Sequence, residues 1–172
     1  PDDGNRVPRE VVARQQLPDF ELDQIENLQT AKRTIVVNNV ATSRAVFVFY
    51  KTTHPILSDV AVRRALTMGI DRDALKQKLD GRFNLINGPL MAGQLGFDKN
   101  ITQPGYALDE AKHTLDQAGW PIGADGIRTK NGQRLTINLV TQDDTDYTRA
   151  AEAVQQAWTS LGVETKISLY QS

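Results

Sequence analysis

The 172-residue sequence contains no cysteine, which excludes disulfides, thiolate metal sites and a cysteine nucleophile together. Zero cysteine suits a cytosolic protein and a bacterial exported one equally, so the compartment stays open. Long apolar runs are missing too. The longest is Ala45 to Tyr50, far short of the ~20 residues that span a bilayer, and no signal-peptide pattern is visible. Charge of either sign is not in excess: 20 Lys and Arg face 21 Asp and Glu, for a net charge of −1. A chain with no basic surplus argues against nucleic acid as the main partner, because that binding rests on phosphate neutralisation. The opening at Pro1 and the stop at Ser172, just after a strand-like segment, lead to the expectation of a piece of something longer.

What is present describes one well-cored domain: 40% apolar and 24% charged residues, close to an average globular protein. A polar lead-in over 1–33 is expected to hold short helices at 9–16, with Pro8 in the first turn, and at 22–30. Residues 34–40 (TIVVNNV) and 45–51 (AVFVFYK) are β-branched and aromatic, which favours strands. Ser58 is the expected cap of a helix through Met68, Asp71 of one through Leu79 closed by Gly81, and Asp109 of one ending at Gly119. The glycine- and proline-containing stretch 82–106 reads as a long wrapping loop. Asn131–Gly132 marks a two-residue hairpin of type I′. Alternating Leu135, Ile137 and Leu139 mark a strand over 134–141, followed by a helix over 145–161 and a strand over 163–170. Strand, helix and strand with short joints make a βαβ unit. The class is α/β, a mixed sheet with flanking helices.

The chemistry-bearing residues are weaker than the fold signals. His54 and His113 lie far apart, outside any zinc-protease pattern, and read as surface or boundary residues. Asp143, Asp144 and Asp146 lack the glycine and distal glutamate of a calcium loop, and sit where helix capping wants acids. Asp71 and Asp73 read likewise as a cap and a first-turn acid rather than an acid–base pair. Trp158, on the apolar side of its helix, is expected in the core. No nucleophile elbow, phosphate loop or dinucleotide fingerprint is present. The residues supply no catalytic constellation and call for no cofactor or metal.

Four segments in order resemble one family. His54–Leu75 (HPILSDVAVRRALTMGIDRDAL) is similar to a pattern S-D-x-x-V-R-x-A-L followed by I-D-R, matched by Ser58, Asp59, Val62, Arg63, Ala65, Leu66, Ile70, Asp71 and Arg72. Tyr106–Trp120 resembles Y-D-P-E-K-A-K-x-L-L-x-E-A-G-[WY], Asp125–Leu135 resembles D-G-x-R-x-K-[DN]-G-x-x-L, and Ala151–Val163 resembles A-x-x-[IL]-Q-x-x-L-x-x-[IL]-G-[IV]. The family is that of the family-5 bacterial extracellular solute-binding proteins, the dipeptide, oligopeptide and nickel receptors of ABC importers. Arg63 is expected to pair with Asp59 at i,i+4 spacing. Where the family usually ends the strand before its proline turn in Phe-Asn, this stretch reads Val48-Phe49-Tyr50-Lys51.

The resemblance implies one lobe of a type II periplasmic-binding-protein-like fold, most of the second lobe, placed at 34–172. It implies a non-enzymatic receptor outside the bacterial cytoplasmic membrane, periplasmic or lipid-anchored. Such a receptor would close two lobes on a peptide or similar solute and deliver it to an ABC permease. Ligand-facing residues are expected on loops at strand ends. The candidates are Tyr50 and Lys51 after their strand, Asn87 in the wrap, and Gln142 and Asp143 after strand 134–141. Tyr, Asn and Gln suit hydrogen bonding to a peptide backbone, and Asp143 suits a ligand amine. Two other readings stay open at this level: the ligand-sensing domain of a regulator, and a fragment of an α/β enzyme.

Overall fold

A computed structural model describes residues 45–79 and 84–171. The expected lead-in over 1–33, its two helices, the strand at 34–40 and the glycine stop at Gly81 lie outside the described residues.

Helix α1 (Val60–Met68) is capped by Asp59, whose carboxylate accepts from the Ala61 amide at 2.8 Å. The expected cap, Ser58, instead donates to the Pro55 carbonyl and closes the preceding turn. With Asp59 committed to the helix end, Arg63 does not pair with it and donates to the Leu57 and Ser58 carbonyls at 2.7 and 2.9 Å. Helix α2 (Arg72–Lys78) is capped by Asp71 as expected. Helix α3 (Leu108–Gln117) begins a residue before the expected cap, so Asp109 and Glu110 lie in its first turn, where they suit the helix dipole. The entry is set from outside: the Ala107 amide donates to the Met68 carbonyl at 3.0 Å, tying the start of α3 to the end of α1. From 84 to 106 the chain wraps without helix or strand.

The expected strand at 45–51 has no ladder among the described residues. Its alternation survives in part, with Val48 and Tyr50 packed against the core and Phe49 83% exposed between them. Alternate burial places side chains, but a strand also needs a neighbour's hydrogen bonds. The segment beside it in sequence, 34–40, is not among the described residues.

The second half pairs closely as its sequence implies. Strands β1 (Thr129–Lys130) and β2 (Gln133–Arg134) form an antiparallel hairpin, turned by Asn131 and Gly132 at φ of 53° and 76°, the left-handed pair a type I′ turn requires. Strand β3 (Thr136–Gln142), helix α4 (Thr145–Thr159) and strand β4 (Glu164–Tyr170) form the βαβ unit, with β3 and β4 parallel from Thr136↔Glu164 to Gln142↔Tyr170. Buried Leu135 joins the two ladders: its amide donates to the Arg128 carbonyl and its carbonyl accepts from the Glu164 amide. For that reason β3 starts two residues later than the hydrophobic alternation suggests.

Helices α1, α3 and α4 and strand β3 share one core around Trp158, which is 1% exposed and donates its indole N–H to the Leu66 carbonyl at 3.0 Å. Beside the core, Arg128 is 3% exposed yet charged. Its guanidinium donates to the Leu161 carbonyl at 2.6 Å, the Trp120 carbonyl at 2.6 Å and the Asp116 carboxylate at 2.5 Å. Its backbone amide donates to the Gly162 carbonyl at 2.8 Å. Gly162, at φ 81°, leaves no room for a side chain: a Cβ would meet Ile122 and lie 3.0 Å from the Gly126 carbonyl oxygen.

Removing the Arg128 head group strands two carbonyls that burial keeps from water, at about 1–3 kcal/mol each. Arg128→Met is expected to destabilise the protein by about 3 kcal/mol, read as the urea unfolding midpoint. Asp116→Asn, at a carboxylate 53% exposed, is expected to cost about 1 kcal/mol or less. Equal effects of the two substitutions would contradict the dominance of the buried carbonyls.

Candidate functional site

A parallel strand pair leaves its C-terminal edge open, because the crossover helix departs there, and this edge is where open α/β sheets present loops to ligands. Here that edge carries the register pair Gln142 and Tyr170. The Asp143 amide donates to the Tyr170 carbonyl at 2.8 Å and the Asp144 amide to the Gln142 carbonyl at 2.9 Å, which fixes the turn into α4. The Asp144 carboxylate accepts from the Asp146 and Tyr147 amides and caps the helix. The acidic cluster is thus partly used for capping, as its position suggests. Gln142, Asp143 and Tyr170 remain exposed at the edge.

The other candidates lie elsewhere. Asn87 is exposed, and its side-chain oxygen accepts from the Arg72 guanidinium at 3.2 Å, while its backbone carbonyl accepts from the Gln103 side-chain Nε2 at 2.8 Å. Arg72 also donates to the Ile86 carbonyl, so the wrap is pinned to the start of α2 at its near end and clasped by Gln103 at its far end. Lys51 is exposed, in the turn where its carbonyl accepts from the His54 amide. Tyr50 is half-buried: its ring stacks on Trp158 at 6.5 Å and its hydroxyl lies 3.2 Å from the Thr67 hydroxyl. Burial pushes the Tyr50 phenol up, against the smaller pull of that hydrogen bond and of the Arg63 charge.

Gln142 and Asp143 therefore come together, and Tyr50 does not join them. Asp143 precedes α4, whereas Trp158 sits in the last turn of that 15-residue helix, about 21 Å along its axis. Tyr170 was not among the candidates. It is the register of the parallel pair that sets Tyr170 opposite Gln142, and the strand limits of 134–141 and 163–170 read from the alternation do not give that register.

The charge network lies at the opposite end of the parallel pair. Arg134 bonds the Asp125 carboxylate and reaches Glu164 at 3.4 Å, and the Thr136 hydroxyl donates to Glu164 at 2.7 Å. The Arg134 hydrogen bond, then the Ile127 amide, hold the Asp125 carboxyl below its ordinary value. Glu164 is lowered first by the Thr136 hydroxyl and then by the charge of Arg134. This network staples hairpin to sheet. Among the described residues no group of three His, Cys, Asp or Glu is placed to hold a metal ion, and no helix is long and apolar enough to cross a membrane.

The described residues thus form an α/β unit, helices packed around a parallel pair with polar residues exposed at its C-terminal edge. The family model described as bacterial extracellular solute-binding proteins, family 5 Middle, matches residues 13–172, and the chain belongs to that family. Its members are solute-binding proteins, not enzymes. The oligopeptide-binding protein AppA of Bacillus subtilis is 28% identical over 141 residues, covering 79% of this chain and 26% of the relative. The structure of AppA in complex with a nonapeptide superposes with a TM-score of 0.66 at 28% identity, over 71% of this chain and 25% of that one. NikA from Brucella suis, in complex with Fe(III)-EDTA, gives a TM-score of 0.67 at 27% identity, over 72% and 25%. The chain thus spans about a quarter of the length of these relatives.

Both carboxyls of the staple are held low in the fold, so they add stability above the ordinary carboxylate range and lose it as pH falls through their folded values. The thermal midpoint is expected to drop as pH goes below about 4, and Arg134→Met is expected to flatten that drop. Parallel pH profiles for the two proteins would refute this role of Arg134.

Proposed function

We propose that the whole protein is the receptor of a bacterial ABC importer, located outside the cytoplasmic membrane, and that this chain supplies part of one of its two lobes. It captures a peptide by closure of the lobes, without turnover, and hands it to the membrane permease. The observation that carries this reading is that AppA, similar in sequence over 79% of the chain and in structure over 71% of it, was solved with a nonapeptide bound. The Gln142–Asp143 edge supports it: an amide and a carboxylate side by side suit the backbone and the amino terminus of an extended peptide. Lys51 and Asn87 are proposed as further contacts from the loops. Tyr50 is proposed as a contact through its ring, since its hydroxyl is engaged by Thr67.

The test is native mass spectrometry of the full-length protein purified without refolding. A co-purifying ladder of peptides is expected, whereas a single small mass or a metal chelate would replace the peptide reading with a different solute on the same fold. In the full-length protein, Asp143→Asn is expected to weaken peptide affinity about tenfold, the worth of one charge-assisted hydrogen bond. Unchanged affinity would remove Asp143 from the site. Closure needs two surfaces, so the isolated 172 residues are expected to bind peptide more weakly than millimolar by calorimetry. Tighter binding would contradict the two-lobe mechanism.

A further inference from the structure

Asparagine followed by glycine occurs twice in the sequence, at Asn87–Gly88 and Asn131–Gly132. This pair is chemically labile because glycine leaves its own amide nitrogen unshielded. Access to the carboxamide and freedom of the backbone then decide whether the reaction runs, and the two sites differ in both.

At Asn87, the side-chain oxygen is held by Arg72 and the backbone carbonyl by Gln103. Both restraints oppose the rotation that would bring the Gly88 nitrogen to the side-chain carbon. At Asn131 the carboxamide is exposed and makes no hydrogen bond to a described residue. The space beside Gly132 is open, with nothing within 4 Å of where a Cβ would stand. The turn is held by strands of two residues each, ending in the Lys130↔Gln133 pair. Only this last pair, with Gln133 exposed, has to open for the turn backbone to rotate, and local opening of one terminal pair costs far less than unfolding.

We propose that Asn131 is a site of spontaneous modification, converting through a cyclic imide to isoaspartate and aspartate, and that the isoaspartate form loosens the hairpin that positions Arg128. The Gly132 amide nitrogen, its proton lost to water, attacks Cγ of Asn131. The N–Cγ bond forms, the Cγ–Nδ2 bond breaks, and ammonia leaves with a proton. Water then opens the imide. Addition at Cγ restores the ordinary backbone as aspartate, and addition at the backbone carbonyl carbon leaves the chain running through the side chain as isoaspartate. No oxidation or reduction is involved, and water is the sole co-reactant.

Isoaspartate adds a methylene to the main chain of a two-residue loop whose type I′ geometry tolerates no extra atom. The register Thr129↔Arg134 is then lost, and with it the support for the adjoining Arg128 and for the Arg134 staple. Aspartate at the same position keeps the backbone length.

The test ages the full-length folded protein at mildly alkaline pH and maps its peptides with electron-transfer fragmentation, which separates isoaspartate from aspartate. Conversion at Asn131 is expected to run several-fold ahead of Asn87 in the folded protein, and the two rates are expected to approach each other in denaturant. Equal rates in the folded protein, or Asn87 converting first, would overturn the assignment. The aged protein is expected to melt at lower temperature than fresh protein, and an Asn131→Asp variant to melt like fresh protein. A fall of the same size in Asn131→Asp would overturn the structural consequence, because charge alone would then account for it.

Discussion

The structure depends on one buried cation. Arg128 is enclosed with its guanidinium bonded to the carbonyls of Trp120 and Leu161 and to Asp116, and its backbone bonded to Gly162 and Leu135. Those partners come from the end of α3, the turn after α4 and the strand linking the hairpin to β3. A charge taken from water is expensive unless its donors are met, so this arginine is tolerated only when all three segments are in place. Helix-end carbonyls have no partner within their own helix. Here one side chain satisfies carbonyls beyond two different helices.

That requirement explains the geometry around it. Gly162 must be glycine twice over, for its positive φ and for the approach of the Gly126 carbonyl and the Arg128 side chain. Lys130, two residues after Arg128, donates to the Ala118 carbonyl at 2.7 Å and lies over the Trp120 ring. Two basic residues two positions apart thus close the end of α3 from the same side of the chain. The hairpin is a clamp rather than a decoration: its turn fixes the register that aims both side chains inward and places Arg134 on the outer staple.

Where the fold was legible in the sequence, local chemistry and tertiary structure agreed. Asp71, Asp144, Gly119, Gly162 and the Asn131–Gly132 turn act as their residue types imply, and the parallel β3–β4 pair follows from the strand–helix–strand pattern. The misses came where a longer-range contact decided. Ser58 was a plausible cap until Asp59 took the role, and Asp109 lost its role because the Ala107 amide is tied to Met68. Arg128 stood inside a recognised motif without a visible purpose, since its partners lie 8, 12 and 33 residues away. At the candidate edge, Gln142 and Asp143 could be reached from the strand's end alone. Tyr170 needed the pairing register, and the separation of Tyr50 from them needed the direction of α4.

The same contrast bears on which residues carry ligand choice. The motif residues that mark the family here are caps, turns and the Arg128 clamp, all occupied in holding backbone. Gln142, Asp143 and Asn87 fall outside the four matched segments. A scaffold whose shared residues are spent on backbone can hold its lobe constant while edge and wrap vary, the division of labour by which one fold serves many ligands. Membership therefore speaks for the scaffold and not for the solute it holds. Outside those segments, Gln142 and Asp143 stand exposed at the C-terminal edge of β3, and Asn87 in the wrap accepts from Arg72 through its side-chain oxygen and from the Gln103 side chain through its backbone carbonyl.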